Sequence, residues 1–277
     1  MNLAGHDIGV CSWSLAPSGT AELIRSLEQL KLSHVQLAIA PLLGIEAPAR
    51  KDQVEQLRAA GITITAGMIG FPGEDYSTIT RIRQTGGFVP DELCPERREM
   101  TAMASAVCRE NGIKCLSTHI GFIPPSSGEK YNVMVQRITD IANAVEKDGV
   151  TLLMETGQEQ ASELLQFLND VRTRNLGVNF DPANLLLYGA GDPVDAVNTL
   201  GRHIRHVHIK DAKRSDQPGV NWGTEVPFGT GEVAIVDLIA ALREVEYRGP
   251  LVIEREAGTS RIADVQTAIE TLRNVLS

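Results

Sequence analysis

Three features of the sequence predict a single (β/α)8 barrel domain spanning residues 1–277. Short apolar runs rich in β-branched residues alternate with longer segments of helical period; there are eight of each; and no linker, fixed repeat or low-complexity tract interrupts them. Eight strand-helix units joined by right-handed crossovers close into a barrel at this length, whereas an open doubly wound sheet would usually show fewer strands.

The strands are expected at Ile8 to Cys11, His34 to Leu37, Ile62 to Met68, Cys115 to His119, Thr151 to Met154, Leu176 to Phe180, Ile204 to Ile209 and Leu251 to Glu254. The helices follow in AELIRSLEQLK, KDQVEQLRAAG, RREMTAMASAVCRENG, YNVMVQRITDIANAVEKDG, QASELLQFLNDVRTRN, DPVDAVNTLGRH, VAIVDLIAALREV and RIADVQTAIETLRNVLS, where apolar residues recur three and four apart. Gly61, Gly112, Gly149 and Gly249 follow polar last turns and lead into strands, as helix stops should.

Composition narrows the function classes. Hydrophobic residues make up 43% and charged residues 22%, which is ordinary for a folded chain. Asp and Glu total 35 against 26 Lys and Arg, a net charge of -9 that disfavours phosphate backbones and anionic lipid as partners. No stretch approaches the roughly 18 apolar residues of a bilayer span. The four cysteines, Cys11, Cys94, Cys108 and Cys115, match neither a zinc ribbon nor a disulfide scaffold and are expected as reduced thiols. MNLAGHDIGVCSW shows neither a basic n-region nor a long apolar run, so a cytoplasmic location is expected.

In a (β/α)8 barrel the active site lies where strands end and βα loops begin. Strand five ends LLMETGQE with Glu155, and strand six ends VNFDPANL with Asp181. Strand seven carries HVHIKDA, where the period of two puts His206 and His208 on one face, His208 nearer the rim and preferred as ligand. Strand eight ends LVIEREAG, and the same period groups Glu254 with Glu256 without choosing between them. A lone acid at a strand end is usually a helix cap or a surface ion pair. Four successive strand ends delivering an acid, an acid, a histidine and an acid are a different matter. Converging carboxylates would raise one another's pKa values, and a divalent cation resolves that conflict. Three carboxylates and one imidazole suit Mn²⁺, Mg²⁺ or Co²⁺, with Zn²⁺ also compatible.

Other strand ends offer groups that could orient a substrate: His119 in STHIGFIP, and Lys210 with Asp211 after the HxH. Gln36 and Trp13, taken singly, read as packing residues. Gly67, Gly70 and Gly73 surround a loop that could approach a ligand closely. GAGD at 189–192 and FGTGE at 228–232 look like fragments of nucleotide loops, but neither completes a GxGxxG after a strand and no P-loop lysine follows.

Glu155, Asp181, His208 and Glu254, with the segments METGQE, NFDPANLLLYGAGDPV, HVHIKDA, EVPFGTGEV and GPLVIERE, resemble the sugar phosphate isomerase/epimerase family, a xylose isomerase-like TIM barrel group related to ketose 3-epimerases and inosose dehydratases. The resemblance covers nearly the whole chain. It implies that Glu155, Asp181, His208 and Glu254 hold the metal and that Glu155 and Glu254 also exchange the substrate proton. Where the epimerases have a histidine three residues after the metal aspartate, this sequence has Asn184.

The implied activity is isomerisation or epimerisation of a small sugar or sugar phosphate through a metal-stabilised enediolate, with His119, Asn184 and Lys210 binding the substrate. Lys210 is the candidate for a phosphate contact. A dehydratase of cyclic polyols would use the same centre. A nuclease of the endonuclease IV type would need further histidines and a basic face, and a polyol-binding barrel without turnover would leave the ligand set idle. The expected partner is a small polyol or sugar, with homo-oligomerisation left open.

Overall fold

The computed structural model describes all residues from Met1 to Ser277. Eight parallel strands form the barrel: β1 (His6–Cys11), β2 (His34–Ala38), β3 (Thr63–Met68), β4 (Cys115–Thr118), β5 (Thr151–Glu155), β6 (Leu176–Phe180), β7 (Ile204–Ile209) and β8 (Leu251–Ile253). Each pairs with the next in chain order, and β8 returns to β1 through Leu251 opposite Ile8 and Ile253 opposite Val10, closing the ring. All eight lie where the apolar runs predict them, with ends shifted by at most two residues.

Two of the ladders are irregular close to the rim. The β2/β3 ladder slips between Val35 and Gln36, and the β6/β7 ladder slips between Val178 and Asn179. Such irregularities re-aim side chains.

The eight expected helices form at Thr20–Leu30, Ala47–Ala59, Cys94–Glu110, Glu129–Glu146, Ala161–Asp170, Pro193–Leu200, Ile235–Glu244 and Arg261–Leu276. Their apolar stripes, such as Leu23, Leu27 and Leu30, are buried against the strands. Removing one such leucine to alanine costs about 2 to 5 kcal/mol. Gly61, Gly112 and Gly149 sit at φ of 75°, 61° and 68°, the left-handed conformation of a helix stop. Gly249 does not: the preceding helix ends at Glu244, Glu246 takes the left-handed position at φ 58°, and Gly249 instead makes room for the Tyr247 ring.

Three short helices escape the periodicity, Ala40–Leu43, Ile79–Thr85 and Pro182–Tyr188. A two-stranded hairpin, Asp211–Lys213 with Thr224–Val226, stands on the loop after β7. The cysteines are free. No helix is long and apolar enough to cross a membrane.

The glycine-rich fragments have internal roles. Asp211 accepts hydrogen bonds from the backbone N–H groups of Gly229, Gly231 and Val233, so FGTGE wraps a carboxylate of its own chain where a nucleotide loop would wrap phosphate. In GAGD, Gly189 caps one helix at φ 72° and Asp192 opens the next by accepting from Val194 and Asp195 N–H. Gly67 lies inside β3 against Ile39 and Cys108, and Gly73 takes a turn at φ 81°, so packing and backbone geometry account for both.

Candidate metal centre

The C-terminal ends of β5 to β8 bring four side chains to one point. Glu155 is the last residue of β5, Asp181 follows β6, His208 lies in β7, and Glu254 follows β8. His208 Nδ1 is 3.3 Å from Glu155 Oε1, 3.6 Å from Asp181 Oδ2 and 3.1 Å from Glu254 Oε2. One ligand atom from each of the four lies within 4.8 Å of all the others, which is the spacing of a set able to hold a metal ion.

All four residues are at most 5% exposed. Glu155 Oε2, Asp181 Oδ2 and His208 Nδ1 are buried without a hydrogen-bond partner. Orphaned polar atoms are costly in a folded interior, and three of them around one point fit a cation. An oxygen-rich set with a single imidazole is the donor chemistry of Mn²⁺, Mg²⁺ or Co²⁺.

The fold aims each member. Asp181 caps the helix Pro182–Tyr188, its Oδ1 accepting from Asn184 N–H at 2.9 Å, which leaves Oδ2 for the centre. His208 is held by Gln36, whose Oε1 accepts from Nε2–H at 2.6 Å. With its proton on Nε2, the ring turns the Nδ1 lone pair toward the carboxylates. Asn179 lies between the two histidines: its Oδ1 accepts from His206 Nδ1–H at 2.8 Å, and its amide nitrogen packs 3.1 Å from His208 Nε2 without a hydrogen bond, both being donors. His206 lies deeper, 3.0 Å from Thr65 Oγ1. Burial holds it well below the usual imidazole range, so it is neutral. Glu254 Oε1 accepts the Trp13 indole N–H at 2.7 Å.

β8 ends at Ile253, so the strand period does not extend to Glu256, which sits on the loop. The Glu256 side chain is 55% exposed and pairs with Lys210 Nζ at 2.9 Å. Lys210 is 3% exposed; Glu254 Oε2 lies 2.9 Å and Asp181 Oδ2 3.5 Å from its ammonium. Burial opposes its charge, but Glu254, Glu256 and Asp181 outweigh that and hold its pKa well above the usual amine range. Burial likewise opposes ionisation of Glu254, yet the Lys210 ammonium keeps it well below the usual carboxylate range.

Asn184 donates to Glu155 Oε1 at 3.2 Å and its own Oδ1 faces Lys210 Nζ at 3.4 Å, so its amide ties two members of the centre together. Gly157, at φ 138°, lets the METGQE loop approach that residue, since a Cβ there would collide with the Asn184 side chain. His119 faces the centre from β4, its Nε2 3.6 Å from Glu155 Oε2.

Three participants are not marked by the strand-end pattern. Gln36 and Trp13, which read singly as packing residues, touch His208 and Glu254, and Asn179 belongs to no motif. The available signal is chemical: a buried indole N–H or strand amide needs a partner, and the nearest are the candidate ligands of the centre.

A family model described as a xylose isomerase-like TIM barrel matches residues 22–275. The chain belongs to that family. Among solved structures, this xylose isomerase-like barrel is similar to a xylose isomerase domain protein from Planctomyces limnophilus, at 33% identity and a TM-score of 0.86 over 98% of this chain and 96% of that one. It shares its fold with a D-psicose 3-epimerase from Clostridium cellulolyticum H10 crystallised with D-tagatose, at 16% identity and a TM-score of 0.75 over 98% and 99% of the two chains.

Among curated proteins it is 24% identical to an inosose dehydratase of Clostridium botulinum across 51% of this chain and 52% of that protein. It is 30% identical to the uncharacterized protein YihM of Escherichia coli across 47% and 41%. The matched region thus spans about half or less of these curated relatives.

Proposed function

We propose that the protein is a divalent-metal-dependent isomerase or epimerase of small sugars or polyols. The observation that carries this reading is the convergence of Glu155, Asp181, Glu254 and His208 Nδ1 within 4.8 Å, with three of their atoms buried without a hydrogen-bond partner. A cation held there would act as a Lewis acid on adjacent carbonyl and hydroxyl oxygens, acidifying the C–H between them and stabilising the enediolate.

The remaining chemistry belongs to the chain. Glu155 Oε2 makes no hydrogen bond and faces His119, so it is the carboxylate oxygen open to take a substrate proton. Glu254, opposite, serves the other face in an epimerase, steadied by Trp13 and Lys210. Lys210 and Asn184 are engaged with the ligand carboxylates, so they set charge and geometry, and a neutral hydroxylated substrate fits better than a phosphate. His119 is half-buried with its Nε2 edge turned to the centre, 3.6 Å from Glu155 Oε2, and is placed to hold a hydroxyl there.

A cyclic-polyol dehydratase is the second reading. It is favoured by the inosose dehydratase match and by the asymmetry of the glutamates, one with an open oxygen and one with both engaged. The test is deuterium wash-in from D₂O by NMR across ketoses, inososes and their phosphates, with Mn²⁺ present. Metal-dependent exchange at the carbon beside a carbonyl supports the proposal, and loss of a β-hydroxyl selects the dehydratase. No exchange with any substrate, together with no bound metal by elemental analysis, refutes both.

A further inference from the structure

Lys210 is the residue that follows β7, and four oxygens surround its buried Nζ. Glu254 Oε2 and Glu256 Oε2 lie at 2.9 Å each, Asn184 Oδ1 at 3.4 Å and Asp181 Oδ2 at 3.5 Å. Two of these oxygens serve the centre as well. Glu254 Oε2 and Asp181 Oδ2 face His208 Nδ1 at 3.1 and 3.6 Å, so they stand between the ammonium and the point where the four ligands converge. Carboxylates shared in this way bridge the two ions of a dinuclear site, which lie about 3.5 to 4 Å apart. Asp181 Oδ2, fully buried, makes no hydrogen bond and is open to positive charge on both sides.

The ammonium is seated between fixed neighbours. On one side, Glu254 N–H donates to the Ile209 carbonyl at 3.0 Å and ties β8 to the end of β7. On the other, Asp211 is held by the N–H groups of Gly229, Gly231 and Val233, and a Cβ on Gly231 would collide with its carboxyl group. Glu256 N–H donates to Glu225 Oε1 at 3.0 Å, and Glu225 is itself paired with Arg255 at 2.6 Å.

We propose that Lys210 takes the place of a second metal ion and thereby limits the centre to one divalent cation. This rests on the reading of the centre as a metal site, not on which sugar reaction it carries out. Glu155, Asp181, Glu254 and Glu256 against one dication and one ammonium leave a net charge of about -1. Without the ammonium the balance is about -2, most of it buried and costly. The all-oxygen set of Asp181, Glu254, Glu256 and Asn184 would then attract a second hard cation.

The count of ions bears on the chemistry. Two ions can stabilise both the entering and the leaving oxygen of a displacement at phosphorus, whereas one ion suffices to polarise a carbonyl. An immobile ammonium in the second position therefore turns the same carboxylates away from phosphate-ester cleavage.

The experiment counts Mn²⁺ on the whole protein by elemental analysis after equilibrium dialysis, beside electron paramagnetic resonance. Wild type should hold about one Mn²⁺ per chain in excess metal, with the six-line spectrum of an isolated ion. Lys210→Ala should hold about two, with a spectrum altered by coupling between neighbouring ions, as a separation of about 4 Å implies. The double variant Lys210→Ala/Glu256→Ala loses an oxygen that belongs to the second position alone, and its count should return to one.

Mn²⁺ should also raise the melting temperature of Lys210→Ala more than that of wild type, because two ions bind the folded state instead of one. Lys210→Gln, which keeps a polar group toward Glu256, carries the same expectations and covers misfolding of the alanine variant. Coupled ions in wild type, a single ion in folded Lys210→Ala and Lys210→Gln, or two ions in the double variant overturn the proposal and leave the centre's reading intact. Failure of both single variants to fold even in Mn²⁺ also overturns it, since a second ion should have replaced the lost charge. No Mn²⁺ on wild type overturns both.

Discussion

The indole N–H of Trp13 donates to Glu254 Oε1 across 2.7 Å, leaving Oε2 facing His208 Nδ1 at 3.1 Å. One hydrogen bond from a loop after β1 thus orients an acid delivered by β8. Trp13→Phe keeps the ring and removes the donor. Groups that orient metal ligands typically contribute about 10- to 100-fold in metal affinity, and the variant should weaken Mn²⁺ binding within that range. Its stability should fall by only about 1 kcal/mol, the net worth of one hydrogen bond. Mn²⁺ titration calorimetry beside urea melts checks both. Wild-type Mn²⁺ affinity in the variant would mean that Lys210 alone orients Glu254.

Gln36 gives an independent check from the adjacent strand, β2, where it pairs with Cys11 of β1. Its Oε1 fixes the His208 ring through Nε2–H, and Gln36 is fully buried. Gln36→Leu leaves that N–H without its 2.6 Å acceptor and lets the ring turn its lone pair away. Mn²⁺ affinity should fall by about 10- to 100-fold, while the absorbance and circular dichroism of the apoprotein stay close to wild type. Unchanged affinity would show that packing alone holds the ring.

These two residues also show where the sequence was legible and where it was not. The strands and main helices follow from hydrophobic period, and Glu155, Asp181, His208 and Glu254 could be placed at strand ends because a parallel barrel delivers strand ends to one rim. Gln36 and Asn179 lie at the register shifts of β2/β3 and β6/β7, and a slip of one residue changes which face a side chain occupies. A period of two carries no information about that.

The helix Pro182–Tyr188 is a different kind of miss. Asp181 as cap, Pro182 in the first turn and Gly189 beyond the end were all readable, but the helix has seven residues and is buried on nearly every side, so no amphipathic stripe marks it.

Glu159 predicts a pH dependence of stability. Its folded pKa of about 8 lies above the ordinary value of 4.5, so the folded state favours the protonated form. No penalty exists below pH 4.5; it grows as pH rises toward 8 and is constant beyond. Glu159→Leu removes the ionisable group. The stability of the variant relative to wild type should therefore increase across that window, by a few kcal/mol with ~5 as the ceiling for a shift of this size. Urea denaturation at a series of pH values measures it. A flat difference would show that the carboxyl has found a partner.

The roles proposed for Glu155 and Glu254 separate by substitution to glutamine, which keeps an oxygen donor and removes the carboxylate that would act as base. Both variants should retain part of their Mn²⁺ and lose turnover by about 10² to 10⁴, the usual cost of a missing general base. In an epimerase each glutamate serves one face, so each variant should still exchange the proton of one epimer with solvent while failing on the other. In a dehydratase the pattern is one-sided. Glu155, whose Oε2 is open, should then be the group whose loss abolishes exchange, and Glu254, engaged by Trp13 and Lys210, should mainly affect metal binding. Metal content and solvent exchange measured for both variants with both epimers distinguish these outcomes. Full exchange in Glu155→Gln at full Mn²⁺ occupancy would remove Glu155 from proton transfer and leave His119, 3.6 Å from it and directed at the same centre, as the base.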